Sequence, residues 1–333
     1  MYTLGIDVHK HDSFVVVIDE DSEPVEEVRV ENANLEEIAQ QYAGSKAVIE
    51  ATGNYFTIYD TLKEYLDVVV AHPAKTKAIG AAKLKNDLLD AKLLAQLRQA
   101  GMIAQSYVPP EEIRERRALT RGRKQLVKKR TDFKNEVHAL LDQEGITIDE
   151  KPFTVAGRAV LTDLSLGIVA RSLLDAYLAA IDTFTEQIKR LESLIKERAA
   201  SLAETQLLMT IPGVSYYSAL LITAEIGELD RFDTAKQVVS YAGLDPVVRE
   251  SGDSRTEGAI SKHGNKHLRT ILYQCANTAV HTCHDEYLSR FYERLDRQKP
   301  SKVAMIATAR KLLISIYHML DRTEVYDPPG VSS

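Results

Sequence analysis

Two apolar runs near the N-terminus each end in a carboxylate, and this pairing constrains the fold more than any other feature of the chain. Tyr2-Thr3-Leu4-Gly5-Ile6 leads into Asp7, and Ala47-Val48-Ile49 leads into Glu50. Both runs read as buried strands. A carboxylate that closes a buried strand needs a partner or a cation, because an unpaired buried charge is costly. Asp87 and Asp90 follow at the start of a helical pattern, three residues apart and so on one face. Four carboxylates meeting at one point repel unless a divalent cation sits among them, and an oxygen-only donor set suits Mg2+ or Mn2+. Sites of that kind act on phosphodiesters. The plain alternative is a strand end, a surface charge and a helix cap.

The order of elements around these acids is informative. Strands are expected over residues 2–7, 12–19, 25–30, 46–50 and 67–71, and helices over 34–43, 55–65 and 86–99. Three closely spaced strands, with the acidic turn Asp19-Glu20-Asp21-Ser22 suited to a hairpin, precede alternating helices and strands. This α/β order matches that of a ribonuclease H fold, an analogy of fold that does not by itself carry chemistry.

Beyond Pro109-Pro110 the strand signal nearly disappears. Residues 111–144 and 171–203 are two long charged helical stretches, separated by 145–167, where glycines and Pro152 break the periodicity. An apolar stripe through Leu173, Leu174, Tyr177, Leu178, Ile181, Phe184, Ile188, Leu191 and Ile195 lets the two pair as an antiparallel arm, and a solvated helical spacer is the alternative. Residues 205–325 read as all-helical, with a polar loop over 249–255. The domain division expected is 1–105, a helical arm over 106–204, a helical domain over 205–325, and a tail over 326–333.

Charge is unevenly placed. The total is −6, from 42 basic and 48 acidic residues, which argues against indiscriminate polyanion binding without excluding nucleic acid. Residues 114–134 carry ten bases against only Glu115 and Asp132. Arg114, Arg117, Arg121, Arg123, Lys124, Lys128 and Lys129 are therefore candidates for phosphate contact, against the alternative of an exposed coiled-coil face. The scarcity of compensating acids favours nucleic acid. Lys262, Lys266 and Arg269 form a second basic cluster at a helix start. His263 and His267 have helical metal-pair spacing, but no nearby Cys or acid completes a zinc site. Cys275 and Cys283 lack metal-site spacing and read as buried free thiols in a reducing cytoplasm. With no uninterrupted apolar stretch near the ~18 residues a span requires, a soluble cytoplasmic protein without membrane partners is expected.

Ile211-Pro212-Gly213-Val214 is either a plain helix–helix connection or a joint presenting backbone N–H groups to a phosphate. Ser251 stands in the polar loop, and its chemistry alone does not select it, since serine fills loops for conformational reasons.

Taken together these segments resemble a known family. Gly5-Ile6-Asp7-Val8-His9-Lys10, residues 49–55 and Lys85-Asn86-Asp87-Leu88-Leu89-Asp90-Ala91 are similar to the DEDD, RuvC-like domain of the insertion-sequence-110 family of transposases. Ile211-Pro212-Gly213-Val214, Arg231-Phe232, Ser240-Tyr241-Ala242-Gly243-Leu244, Glu250-Ser251-Gly252 and residues 260–265 are similar to its C-terminal domain. The resemblance covers nearly the whole chain in family order and is weakest over residues 100–205. It implies an α/β RuvC-like (ribonuclease H-like) N-terminal domain, a helical coiled arm and an all-α C-terminal domain. It implies a recombinase that cuts and rejoins DNA, assembled as a dimer or tetramer and guided by an element-encoded RNA that pairs with donor and target DNA. Asp7, Glu50, Asp87 and Asp90 would hold Mg2+ (or Mn2+), and Ser251 would be the nucleophile.

Three other readings compete. A metal-dependent junction resolvase or nuclease of the same fold would keep the acids and leave Ser251 structural. A sugar-kinase or actin-like ATPase needs a glycine-rich phosphate loop after the first aspartate, which Val8-His9-Lys10-His11 does not provide. A non-catalytic nucleic-acid-binding protein would have no reason to keep all four acids.

Overall fold

The computed structural model describes the chain except Thr52, Asn54 and residues 73–86, 252–253, 261–263 and 329–333, and except the side chains of Leu88, 246–251 and 254–259. The chain divides into two compact units, Met1–Val108 and Pro109–Ser333.

The first unit is built on a five-stranded sheet of β1 (Thr3–Val8), β2 (Asp12–Ile18), β3 (Pro24–Glu31), β4 (Lys46–Glu50) and β5 (Asp67–Ala71). The strand order is β3-β2-β1-β4-β5. The first three strands pair antiparallel, and β4 and β5 join in parallel. This mixed α/β sheet is consistent with a ribonuclease H-like fold. The edge strand β3 alternates half-buried and exposed residues along its length, with charged side chains among the exposed ones, which discourages a further strand from pairing there.

Each face of the sheet has its own cover. Leu4, Ile6, Val15, Val17, Ala47, Ile49 and Val70 pack with Leu35 and Ala39 of α1 (Leu35–Gln41) and with Ile58 and Leu62 of α2 (Tyr55–Leu62). The opposite face meets α3 (Asp87–Gln99), whose Ala91 and Ala95 pack on Val16 and Ile18 and whose Leu94 packs on Val48 and Ala71. Side chains alternate along a strand, so the residues of β1 between Leu4, Ile6 and Val8 point toward α3. Those residues include Gly5 and Asp7.

The second unit opens with two 33-residue helices, α4 (Glu111–Gln143) and α6 (Ile168–Ala200). Arg123 meets Glu192 and Arg130 meets Thr185, so the pair runs antiparallel. Between them lies α5 (Val155–Asp163), whose Leu161 joins Val137, Leu140, Leu141, Ala170 and Leu174 in a small core. The helical period is broken over 145–167 as expected, yet a nine-residue helix forms there. Thr154 caps it by accepting a hydrogen bond from the Gly157 N–H.

The remaining helices are α7 (Ala203–Leu208), α8 (Tyr216–Ile226), α9 (Ala235–Ala242), α10 (Lys266–His281), α11 (Glu286–Asp296) and α12 (Ser301–Arg322). Every residue of α8 from Ser218 to Ile226 is buried. The joint before α8 is a packing feature. Ile211 and Val214 are buried, and Gly213, at φ +87°, lies against the backbone of α10, where a Cβ would stand 2.8 Å from the Ala279 nitrogen. Ser215 and Ser218 close a capping box there, which satisfies the backbone N–H groups of both residues. The most apolar stretch of α12 has a mean hydropathy of 1.3 and length enough to cross a bilayer, with half of it buried in this core.

Two expectations are corrected in this unit. It is not all-α: β6 (Pro246–Ser251) and β7 (Ser254–Ile260) form an antiparallel hairpin where a polar loop was expected. Val247-Val248 and the Gly252-Asp253 pair between the strands are hairpin chemistry that the helical surroundings obscured. Nor are both cysteines buried, since Cys275 is enclosed and Cys283 is exposed.

Candidate metal and nucleic-acid sites

The acid site is assembled by strand register and by one glycine. In the parallel pairing of β1 with β4, Gly5 lies opposite Val48 and Ile6 opposite Ile49. Val48 faces α3, so Glu50, two residues on, belongs to the same face as Asp7. Gly5 then admits the helix. A Cβ on Gly5 would stand 1.9 Å from the Ala91 carbonyl oxygen and 2.7 Å from the Ala95 nitrogen. Backbone meets backbone, and the first turn of α3, carrying Asp87 and Asp90, comes down over the end of β1.

The electrostatics follow from that convergence. Burial pushes the Asp7 carboxyl above its ordinary range, His9 opposes the shift, and the charges of Asp87, Glu50 and Asp90 reinforce it. Asp87, Glu50 and Asp90 thus each lie within electrostatic reach of the half-buried Asp7, while among the described residues the donor atoms close enough to share one ion are those of Asp7, His9 and Asp87. The donor set is oxygen-rich and negatively charged, and it fits a hard divalent cation. A further group emerges at the site. His9 Nε2 lies 3.9 Å from Asp7 Oδ2 and 3.8 Å from Asp87 Oδ2, and one donor atom from each of the three falls within 4.8 Å of the others. Sequence reasoning assigned His9 no role. The available signal was an imidazole two residues beyond a candidate carboxylate, just past a strand end.

Ser251 is the last residue of β6 and is register-paired with Ser254 across the turn. It is therefore presented at the tip of a two-stranded hairpin.

The long basic helix is more committed than its sequence suggests. Arg121 makes a two-pronged pair with Glu225, Nε and Nη2 each 2.7 Å from a carboxylate oxygen. Arg117 donates to the carbonyls of Ala224 and Glu225 at 2.7 and 3.0 Å. Arg123 pairs with Glu192 and stacks over Tyr217 at 4.3 Å. The premise that no acid compensates these three bases does not hold, because the acids arrive from α6 and α8. Lys128 and Lys129 are exposed, Arg114 and Lys124 half-buried. Burial and the nearby Lys266 hold the Lys124 ammonium below its ordinary pKa, against the pull of Glu225. Arg269 donates to the Ala242 carbonyl at 2.9 Å and Lys266 is exposed, while Lys262 and His263 lie outside the described residues. The two basic segments, distant in sequence, therefore meet around the buried Glu225, which also accepts a hydrogen bond from Asn265 at 2.7 Å.

Comparison with known proteins places both halves. Residues 4–146 match a transposase family model of the DEDD IS110 type, and residues 205–293 match the model described as "Transposase IS116/IS110/IS902 family". The chain is 27% identical to the transposase for insertion sequence element IS1111A of Coxiella burnetii, over 97% of this chain and 90% of that one. It is 30% identical to the transposase for insertion sequence element IS1328 of Yersinia enterocolitica, over 68% of this chain and 69% of that one. A pilin gene-inverting protein of Moraxella bovis is 33% identical over 36% of this chain and 38% of its own.

Proposed function

Because the chain belongs to the IS116/IS110/IS902 family of insertion-sequence transposases, we propose that it moves its element by cutting and rejoining DNA through a serine nucleophile and a divalent-metal site. The observation that carries this reading is the half-buried Asp7 with an Asp87 oxygen within 4.8 Å of its own and the charges of Glu50 and Asp90 near enough to act on it. Such a cluster is destabilising alone and becomes favourable with a cation, so the residues suit Mg2+ or Mn2+. When bound, the ion supplies Lewis-acid polarisation of a phosphate oxygen.

The residues of this chain carry the rest. Asp7 and Glu50 are fixed to adjacent strands, and Asp87 and Asp90 to a helix pressed on that sheet, so the donors are pre-positioned. Ser251 Oγ attacks the scissile phosphorus, forming the serine–phosphate bond as the bond to the 3′-oxygen breaks, and the serine proton is transferred to that leaving oxygen. In rejoining, a 3′-hydroxyl attacks the phosphoserine and Ser251 leaves with a proton. The bond energy is conserved, so no external energy source is needed. The Moraxella relative is named for inverting a gene, and inversion requires that each cut end be rejoined.

The partners of this reading are donor and target DNA, a structured guide RNA encoded by the element, and further copies of the chain in a dimer or tetramer, acting in the cytoplasm. Lys128, Lys129 and Lys266, exposed on the second unit, supply sequence-independent phosphate contacts. The test is strand exchange by wild type and Ser251→Ala with a protein–DNA adduct mapped by mass spectrometry. Wild type is expected to give a boiling-resistant adduct on Ser251, and Ser251→Ala neither adduct nor exchange. Continued cutting by Ser251→Ala would refute the nucleophile and leave a metal-dependent nuclease of the same fold.

A further inference from the structure

We propose that His9 is itself a ligand of the divalent ion, binding through Nε2 between Asp7 and Asp87, and that it tilts the site toward Mn2+ over Mg2+. This rests on the metal reading above and extends it from four carboxylates to a mixed oxygen–nitrogen set.

Three observations carry it. The first is spacing. Donors bound to one ion at ~2.1 Å lie ~3.0 Å apart when adjacent and ~4.2 Å when opposed, and the two His9–carboxylate distances are 3.8 and 3.9 Å. With the three donor atoms all within 4.8 Å of one another, a single ion reaches all three once the two carboxylates draw inward onto it.

The second is anchorage. The His9 backbone N–H donates to the Asp12 carbonyl at 3.0 Å, and the His9 carbonyl accepts from Asn32 Nδ2 at 3.0 Å. The ring stands edge-on to Phe14, with centroids 6.0 Å apart. Backbone and ring are thus both held before any ion arrives. The third is access, since the imidazole is 43% exposed and an ion can enter from solvent on its side.

The consequence for ion choice follows from donor chemistry. Carboxylate oxygens serve Mg2+ and Mn2+ alike, whereas imidazole nitrogen favours transition metals and gives little to Mg2+. The competing role for His9 is a positioning one, a hydrogen-bond partner of the two aspartates that never touches the ion.

Pulsed electron paramagnetic resonance on the full chain loaded with Mn2+ separates these roles. Direct ligation gives nitrogen modulation that changes from the 14N to the 15N pattern when the wild-type protein carries 15N-histidine, and that vanishes in His9→Ala. Calorimetry should show weaker Mn2+ binding in His9→Ala, with Mg2+ binding changed much less. Wild type that binds Mn2+ without nitrogen modulation, or modulation that survives His9→Ala, overturns the ligand assignment and leaves the carboxylate site standing. Wild type that binds neither Mn2+ nor Mg2+ overturns both.

Discussion

Gly5→Ala is the smallest change that should dismantle the acid site without touching an acid. The φ of Gly5 is not positive, so alanine meets no backbone penalty and the effect comes from close approach alone. The added methyl would stand 1.9 Å from the Ala91 oxygen, where ordinary contact begins at about 3.4 Å, so α3 must retreat by about 1.5 Å. Asp87 and Asp90 lie within one turn of Ala91 and move with it. Metal–donor distances tolerate about 0.2 Å, so the helix carboxylates cannot serve the same ion as Asp7 and Glu50. Overpacking of this kind costs about 1–3 kcal/mol, and we expect metal affinity to fall about 10- to 100-fold. Calorimetric titration with Mn2+ reads the affinity and thermal melting reads the stability. Ile6→Val is the control, because Ile6 is fully buried on the other face of the sheet and its truncation costs about 0.5–1.5 kcal/mol without moving α3. Wild-type metal affinity in a folded Gly5→Ala protein would refute the argument that this glycine seats the helix acids.

Three further outcomes follow from two buried groups in the second unit, Glu225 and Cys275. Burial alone would raise the Glu225 carboxyl, yet hydrogen bonds from Arg121 and Asn265 and the charges of Arg121 and Arg117 hold it below its ordinary 4.5. Its stabilisation is therefore complete above that value and is lost as pH falls through the lower folded-state value. Melting temperatures from about pH 7 to about pH 3 should show Glu225→Gln less stable than wild type at neutrality and the difference shrinking in acid. Glu225→Ala, which strands two guanidiniums, should cost about 3 kcal/mol in denaturant unfolding, the low end for a broken buried pair because Arg121 is 42% exposed. A thiol reagent should label Cys283 and spare Cys275 in the native protein, because burial lifts the Cys275 thiol to about 11 despite a Ser218 hydrogen bond. Equal labelling of both by intact-mass measurement would contradict the enclosure of Cys275.

How far the sequence discloses this protein depends on the range over which each feature is determined. The first unit is the legible part, because strand alternation is local and the two apolar runs already place Asp7 and Glu50 beyond buried residues. Parallel pairing of β1 with β4 then needs only the order of elements to set the two acids side by side. Asp87 and Asp90 were readable as one helix face. What the sequence did not reveal is that Gly5, a residue with no chemistry, decides how near that face comes. The hairpin carrying Ser251 was missed for the opposite reason: its strands are largely polar, and they sit among helices that dominate any window. The basic helix misled through charge counting within one segment, since Glu192, Glu204 and Glu225 are dozens of residues from the arginines they meet. Glu225 makes the point most directly. A lone acid in an otherwise uncharged helix invites the inference that something distant must neutralise it, and the helix of unmatched arginines raises the reciprocal demand. Each segment states half of one ion pair, and only the packing of α4 on α8 joins the halves. Unmatched charge on a long helix therefore marks a site of packing as readily as a site for phosphate, and the exposed Lys128, Lys129 and Lys266 are where the second use remains open to nucleic acid.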